Sequence, residues 1–299
     1  MAKMAEDNAV LLPEGASPSF SQFNGDDHQF PVLISVPHAG RDYPPAIRDN
    51  LAVPAASLIR LEDRYADRLV TGAIAAGYTT MVAREPRAWI DLNRGHRELD
   101  PDMLTGVARH QLPEPSRKVR GGLGLVPRRL NGTGELWRRK WVWDEVCQRV
   151  DHSHAPYHRL VERTLDKMRE KFGGAILLDV HSMPPLTDGD QGDVDIVIGD
   201  RFGRSSGSRY SEIAMGYCNQ AGLRGQLNHP YAGGYILERH GQPDQGIHAL
   251  QLEVDRRCYL DGALLEPGEG LPAMIDHVTR IANLLANQSF GQVHLIAAE

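Results

Sequence analysis

Cysteine is scarce in this chain. Its 299 residues include only three cysteines, at positions 147, 218 and 258, and no C-x-x-C pair. This spacing argues against a disulfide framework and against a zinc site built from cysteines, and it is typical of a reducing compartment. No stretch approaches the roughly 18 apolar residues of a membrane span, and the start of the chain has no apolar signal-peptide core. We therefore expect a cytoplasmic protein with no membrane partner.

An excess of positive charge is missing as well. The net charge is −6, which gives no reason to expect a nucleic-acid partner. Within the basic set, arginine far outnumbers lysine. Arginine binds carboxylates through two parallel contacts, so acidic small molecules are candidate ligands, although genome base composition also explains many arginines. The sequence does not define an oligomeric state.

Motifs of nucleotide and serine chemistry are also missing. The glycine-rich string at 121–124 neither follows a strand nor opens a helix, and the string at 203–207 has no Walker lysine. There is no G-x-S-x-G nucleophile elbow.

The hydrophobic pattern predicts an α/β class with a mixed, mostly parallel sheet. Residues 1–29 are polar and predict a flexible N-terminal arm, and residues 30–299 predict a single domain. Residues 95–134 predict a long loop. The predicted strands cover 31–36, 78–83, 88–92, 175–180, 194–198, two short segments within 224–240, and 247–254. The predicted helices cover 54–76, 135–172 with a break or kink near Pro156, 208–221 and 267–288.

Two histidines follow predicted buried strands. His38 lies in Ser-Val-Pro-His-Ala-Gly and His181 in Asp-Val-His-Ser. The carboxyl ends of strands in an open α/β sheet are where ligands bind, and a catalytic zinc takes about three protein ligands plus water. The third ligand should be a carboxylate, and Glu62 and Asp63 are rival candidates, although an acidic pair on a helix is commonly a solvated face.

Two further acidic residues accompany the histidines. Asp179 and His181 alternate with Val180 and leave the same face of a strand, so Asp179 could hold the far nitrogen of His181 or merely cap a turn. Glu253 is a charged residue in an otherwise apolar strand. It is either a candidate general base or a residue on a solvated edge.

Candidate substrate-binding residues follow other elements. Arg94 ends Trp-Ile-Asp-Leu-Asn-Arg, and Arg87 stands seven residues earlier. Arg94 is a candidate carboxylate clamp or a partner of Asp91 or Glu85. His152, His154 and His158 form H-x-H-x-x-x-H, but Pro156 disfavours a shared metal. We interpret His158 as a substrate contact or a packed residue, and Gly233–Gly234 as a close backbone approach or a tight turn.

These stretches, in this order, resemble the N-formylglutamate amidohydrolase family from Val32 to about Tyr259. The resemblance is carried by Ser35–Gly40, Glu62–Asp63, Ile90–Arg94, Pro156–His158, Asp179–Ser182, Gly233–Gly234 and His248–Glu253. It implies a zinc-exopeptidase-like, single-domain three-layer sandwich with helices on both faces. It also implies hydrolysis of N-formyl-L-glutamate to L-glutamate and formate, a step of histidine degradation.

The resemblance also implies roles for single residues. His38, Asp63 and His181 would hold Zn²⁺ or another divalent metal, with Glu62 as the rival to Asp63. Glu253 would be the acid/base and Asp179 a supporting carboxylate. Arg94, Arg87, His158 and Gly234 would contact an N-acyl amino acid. Two segments, 95–133 and 235–240, depart from the family pattern, and both are places where a substrate side chain could be recognised.

Overall fold

A seven-stranded sheet forms the centre of the computed structural model, which describes residues 19–186, 193–288 and 290. The spatial order of the strands is β1-β3-β2-β4-β7-β5-β6. In chain order these strands are β1 (Phe20–Phe23), β2 (Val32–Val36), β3 (Thr79–Ala83), β4 (Ala175–Met183), β5 (Ile196–Gly199), β6 (Gly225–Leu227) and β7 (Ile247–Asp255).

The four inner strands β3, β2, β4 and β7 run parallel to one another. Strand β1 is antiparallel to β3 at one edge, and β5 is antiparallel to β7 towards the other edge. Because the parallel strands all end at the same edge, the residues that follow them are brought together there. The predicted mixed, mostly parallel sheet is confirmed.

Helices cover both faces of the sheet and bury an apolar cluster on each side. One face packs against α5, α6 and α8, and the other packs against α2, α3, α7 and α9. The chain therefore has the predicted three-layer architecture. In chain order the helices are α1 (Pro45–Asn50), α2 (Ala66–Leu69), α3 (Thr71–Ala75), α4 (Arg117–Arg120), α5 (Trp143–Arg149), α6 (Ala155–Phe172), α7 (Ser208–Gln220), α8 (Tyr235–His240) and α9 (Leu271–Ala286).

The continuous helix predicted over 54–76 is wrong. A 3-10 segment covers Ala55–Leu61, and the backbone then becomes extended at Glu62 before it enters α2. The break is stabilised by a long-range bond, since the Asp63 N–H donates to the His38 carbonyl at 3.0 Å. Tyr65 completes the turn with a positive φ of 58°, which is uncommon for an aromatic residue.

The strand predicted over 88–92 is also wrong. This segment is made of turns, with the Trp89 N–H donating to the Pro86 carbonyl and the Asp91 N–H to the Leu125 carbonyl. Ala88, Ile90 and Leu92 pack into the apolar cluster beneath α6. The alternation of apolar residues here therefore reflects burial against a helix and not pairing in a sheet.

The predicted helix 135–172 begins later and is not interrupted. Residues 134–135 and 141–142 form short strands, after which α5, a π-helical segment at Val150–His154, and α6 follow without a gap. Pro156 lies two residues after the π segment, and the helix continues across it.

Three other expectations change. The second short strand expected within 224–240 is helix α8, and the loop 95–134 contains short helical and strand segments. The expected flexible arm does not reach residue 29, because β1 pairs with β3. Residues 1–18 of that arm lie outside the described residues, and the single domain 30–299 stays a prediction. Within the described part of the chain, no helix has the length and apolar character required to cross a membrane.

Candidate active site

Polar side chains replace the apolar core on one face of the sheet, near the carboxyl ends of its strands. In the register of β2, β4 and β7, Ser35 and Gln251 both lie beside Asp179, and Glu253 lies beside His181. The positions before them on the same strands, Leu33, Leu177 and Ala249, belong to the apolar cluster. Period-two alternation therefore places Ser35, Asp179, His181, Gln251 and Glu253 on one face.

His38 and Asp63 reach this face from two loops. The His181 Nδ1 atom lies 2.8 Å from Asp63 Oδ2, and His38 Nδ1 lies 3.5 Å from the same oxygen. The two imidazole centroids are 4.8 Å apart, and all three residues are buried. These three residues form the one group of potential metal ligands found among the described residues.

The geometry of this group fits a metal ion. Tetrahedral zinc with bonds near 2.1 Å separates its ligand atoms by about 3.4 Å, and the two distances above lie on either side of that value. The far nitrogens are held by carboxylates, since His38 Nε2 donates to Asp91 at 2.7 Å and His181 Nε2 donates to Asp179 at 2.8 Å. Without an ion, the 2.8 Å contact of His181 Nδ1 with Asp63 needs a proton on Nδ1, because a carboxylate only accepts hydrogen bonds. A bound metal ion would take the place of that proton, with the far nitrogens still donating to their carboxylates, as in carboxylate–histidine–zinc arrangements.

The surrounding charges favour a cation at the same place. Burial alone would lower the pKa of His181, but Asp179 and Asp63 hold it well above its ordinary value of 6.5. Burial would likewise raise the pKa of Asp63, and the hydrogen bonds from His181 and His38 instead hold it far below its usual range. Carboxylates on both sides of one imidazole stabilise positive charge there, whether a proton or a metal ion carries it.

The structure distinguishes Glu62 from Asp63. The Glu62 carboxylate accepts a hydrogen bond from the Tyr43 hydroxyl at 2.5 Å, and it forms an ion pair with Arg64 at 2.9 Å. It is therefore occupied on the other side of the turn and lies outside the histidine group. Because the backbone is extended at Glu62, the two neighbouring side chains point in different directions.

Glu253 is buried rather than on a solvated edge, since β5 covers the outer side of β7. Gln251 donates to its Oε1 atom at 2.9 Å. Burial is the main cause that raises the pKa of Glu253 to about 7, and Asp63 and Asp179 raise it further against the opposing effect of His181. A carboxyl group with such a pKa can both accept and donate a proton near neutral pH.

The two arginines that were expected to bind substrate also form hydrogen bonds within the protein. Arg87 Nε donates to Asp91 Oδ2 at 2.8 Å. Arg94 also pairs with this carboxylate, with its Nε 3.9 Å from the same oxygen, as one of its two interpretations predicts. Arg94 is buried, and it donates from Nε to the Leu123 carbonyl and from Nη1 to the Asn93 carbonyl, both at 3.0 Å. These bonds use two of the five N–H groups of Arg94.

Asp91 is the main residue that the sequence interpretation missed. It accepts hydrogen bonds from His38 and from the Asn93 backbone through Oδ1, and an ion pair from Arg87 through Oδ2. Burial would raise the pKa of Asp91, but Arg87 and His38 hold it well below its usual range. Its position within the family motif was visible in the sequence, but its partner His38 lies 53 residues away.

Arg256 and Ser35 were missed as well. Arg256 follows β7, and its Nη2 atom lies 3.7 Å from Asp63 Oδ1 while its Nε donates to the Ser182 hydroxyl at 3.3 Å. Ser35 donates to Asp179 at 2.7 Å and also contacts the Tyr157 hydroxyl at 2.9 Å. Ser35 could have been found from its strand, because a polar residue in an apolar run needs a partner.

Gly234 makes a close approach, in agreement with one of the two interpretations of the glycine pair. A Cβ atom at this position would lie 2.4 Å from the Asn93 side chain. Asn93 uses that space to accept the Ile236 N–H at 2.8 Å, at the start of α8, and it lies 3.3 Å from His181.

His158 packs in the interior, in agreement with one of its two interpretations, and contact with substrate stays a prediction. Its ring is fully buried, and its two nitrogens contact the Leu92 carbonyl and His240, each at 2.9 Å. The packed-residue interpretation is the one that the structure shows.

A cavity of about 320 Å³ lies nearby, between residues 95–99, residues 113–116, Val119 and Tyr235, and its lining does not include the metal-ligand candidates.

The three-layer α/β fold brings two imidazoles, a shared carboxylate and a buried glutamate together near its strand ends. This arrangement is typical of a hydrolase with a metal centre. Comparison with known proteins specifies the class further. The family model for N-formylglutamate amidohydrolase matches residues 30–260.

Two curated relatives cover most of this chain. The N-formylglutamate deformylase of Pseudomonas putida is 33% identical over 244 residues, which are 78% of this chain and 83% of the relative. The enzyme of the same name from Pseudomonas aeruginosa is 30% identical over 239 residues, covering 77% and 82%.

Two solved structures share the fold of this chain. The crystal structure of N-formylglutamate amidohydrolase from Ralstonia eutropha JMP134 is similar with a TM-score of 0.83 and 25% identity, covering 90% of this chain and 98% of that one. A gene product of Agrobacterium tumefaciens shares the fold, with a TM-score of 0.66, 17% identity, and coverage of 89% and 94%. The chain belongs to the N-formylglutamate amidohydrolase family, and it is a hydrolase of amide bonds.

Proposed function

We propose that the chain hydrolyses N-formyl-L-glutamate to L-glutamate and formate with the help of a divalent metal ion, Zn²⁺. The substrate is suggested by the names of the two Pseudomonas relatives. The observation that carries the metal is the convergence of three ligand atoms from His38, Asp63 and His181 within 4.8 Å of one another. These three residues would hold the ion, which would supply Lewis-acid chemistry to the carbonyl and water.

Glu253 is the proton carrier in this proposal. Water adds to the formyl carbon as Glu253 takes its proton, and Glu253 then gives that proton to the departing nitrogen as the C–N bond breaks. The products are formate and the free amine of glutamate. The register of Glu253 beside His181 supports this role, because it places the carboxyl group next to the candidate ligands.

Arginines bind the acidic substrate in this proposal. Arg94 holds a substrate carboxylate with its remaining N–H groups, and this orients the formyl group towards Glu253. Arg87 assists, while its Nε fixes Asp91. Gly234 allows the close backbone approach beside Asn93 on which this arrangement depends. Asp179 and Asp91 fix the ring orientations of His181 and His38.

The test is release of formate from N-formyl-L-glutamate by the purified protein, before and after chelation. We expect activity that a chelator abolishes and that one equivalent of Zn²⁺ restores. Formate release by protein shown to be metal-free would refute the requirement for a metal ion. No release by metal-loaded protein would refute N-formyl-L-glutamate as the substrate.

A related amidase that acts on another N-acyl amino acid or a peptidoglycan-type amide is the second candidate. It is favoured by the family departures in 95–133 and 235–240. Comparing kcat/KM for N-formylglutamate and other N-acyl amino acids decides between the two. A non-catalytic protein that binds carboxylates on the same scaffold is a third candidate, and membership of a hydrolase family disfavours it. The cytoplasmic location and the role in histidine degradation stay predictions.

A further inference from the structure

Three buried histidines that take no part in the proposed reaction lie behind the substrate-binding segment. His154 ends the π-helical segment, and His158 lies one turn later on α6, with ring centroids 4.3 Å apart. His240, at the end of α8, stacks on His158 with centroids 5.2 Å apart. All three are at least 97% buried.

Each of the first two rings points a nitrogen at a main-chain carbonyl. His154 Nε2 lies 2.7 Å from the Arg94 oxygen, and His158 Nε2 lies 2.9 Å from the Leu92 oxygen. A carbonyl only accepts hydrogen bonds, so both rings carry their proton on Nε2. His158 Nδ1 is then an acceptor, and His240 Nε2 donates to it at 2.9 Å.

The two carbonyls flank Asn93 and lie in the segment that carries the candidate substrate arginine. Arg94 donates to the carbonyl of Asn93, and the Asn93 backbone donates to Asp91. The direction of the Arg94 guanidinium relative to the metal-ligand candidates therefore depends on how the peptide units of residues 92–94 are held. Burial also favours the neutral rings that this arrangement needs, since it lowers the pKa of His154 to about 4 and that of His240 to about 3.

We propose that His154 and His158, with His240 behind them, are positioning residues that fix the main chain of residues 92–94 and thereby aim Arg94 at a substrate carboxylate. This inference rests on the proposed function. An apolar side chain could fill the same space, but it would leave a buried carbonyl without a donor, and the segment would shift to find one. The expected consequence is weaker substrate binding, with the metal-ligand candidates and Glu253 still in place.

The test compares His154→Leu, His154→Gln and wild type with N-formyl-L-glutamate as substrate. We expect His154→Leu to raise KM about tenfold, the scale of one lost hydrogen bond, with kcat and metal content little changed. His154→Gln keeps an N–H donor near the Nε2 position and should recover most of the loss. The exposed His152 lies on the same π segment, so His152→Leu is the matched control and should leave KM unchanged.

A double-mutant cycle with Arg94→Ala separates positioning from a merely structural role. If His154 acts through Arg94, then His154→Leu should have little further effect on KM in the Arg94→Ala background. An equal increase in both backgrounds, or an unchanged KM in folded His154→Leu, would overturn the inference. Should His154→Leu fail to fold, His240→Leu removes only the rear donor and should give a smaller rise in KM, and an unchanged KM there would overturn the inference as well. Absence of formylglutamate hydrolysis by wild type would instead refute the proposed function, and the inference with it.

Discussion

Two sets of buried histidines lie in the same molecule and differ in their surroundings. His38 and His181 are contacted by carboxylates on both ring nitrogens, whereas His154 and His158 contact main-chain carbonyls and another imidazole. The pKa of His181 is accordingly held well above the ordinary value, while burial lowers that of His154 to about 4. The comparison teaches that the neighbours, rather than burial itself, decide whether a buried imidazole marks a place for a cation or serves as a neutral donor.

The largest expected effect comes from removing an imidazole of the first set. His181→Ala should abolish both tight zinc binding and formylglutamate hydrolysis, because the ligand lost cannot be replaced by its neighbours. Metal analysis after dialysis and a formate assay check this. The control is His154→Gln, which should retain a full equivalent of zinc. Comparable metal loss in the two variants would contradict the claim that only the first set of histidines binds the metal.

Glu253→Gln should separate metal binding from proton transfer. The amide is nearly isosteric with the carboxyl group but cannot carry the proton, so turnover should fall by a factor on the order of 10² or more. Zinc content should stay at the wild-type level. Full turnover in this variant would remove Glu253 from the mechanism.

The carboxylates behind the first set should have an intermediate effect. Asp179→Asn and Asp91→Asn weaken the hold on His181 and His38, and loss of such a partner costs about 10- to 100-fold in metal affinity. Competition with a chromophoric chelator measures this. Asp67, which pairs with Arg41 away from the cluster, provides the control variant Asp67→Asn, and an equal loss of affinity there would contradict the assignment.

The smallest expected effect is a change with pH in the stability that His240, of the second set, gives to the folded chain. Unfolded histidine titrates near pH 6.5, whereas burial lowers the pKa of His240 in the folded chain to about 3. The unfolded chain therefore binds more protons between these values, so this contribution to stability is complete above about pH 6.5 and is lost as the pH falls towards 3. The stability advantage of wild type over His240→Leu should shrink between pH 7 and pH 4.5 in urea unfolding.

The matched control is Leu284→Ala, which removes an exposed side chain that does not titrate. Its difference from wild type should stay constant over the same pH range. A constant difference for His240→Leu as well would show that His240 does not titrate as its burial requires.

Much of the sheet could be predicted from the sequence because its inner strands are mainly apolar and β-branched. Strands β2 and β4 are fully buried, and β7 nearly so, and such segments identify a core strand without any knowledge of its neighbours. His38 and His181 were found because they follow apolar residues near the carboxyl ends of β2 and β4, and Glu253 because it is a charged residue within the apolar strand β7.

The parts that could not be predicted depend on contacts between distant segments. The helix expected over 54–76 is broken where the Asp63 N–H bonds to the His38 carbonyl, and α8 begins where Asn93 accepts the Ile236 N–H. Helical periodicity continues through the first of these positions, and the turn residues near the second favoured strands. The choice between Glu62 and Asp63 likewise required the positions of Tyr43 and Arg64.

The most direct test of the central claim is a crystal structure of the zinc-loaded protein with anomalous data collected at the zinc absorption edge. We predict one strong anomalous peak about 2.0–2.2 Å from His38 Nδ1, Asp63 Oδ2 and His181 Nδ1. A peak at other residues only, or no peak in a crystal that hydrolyses formylglutamate, would contradict the account.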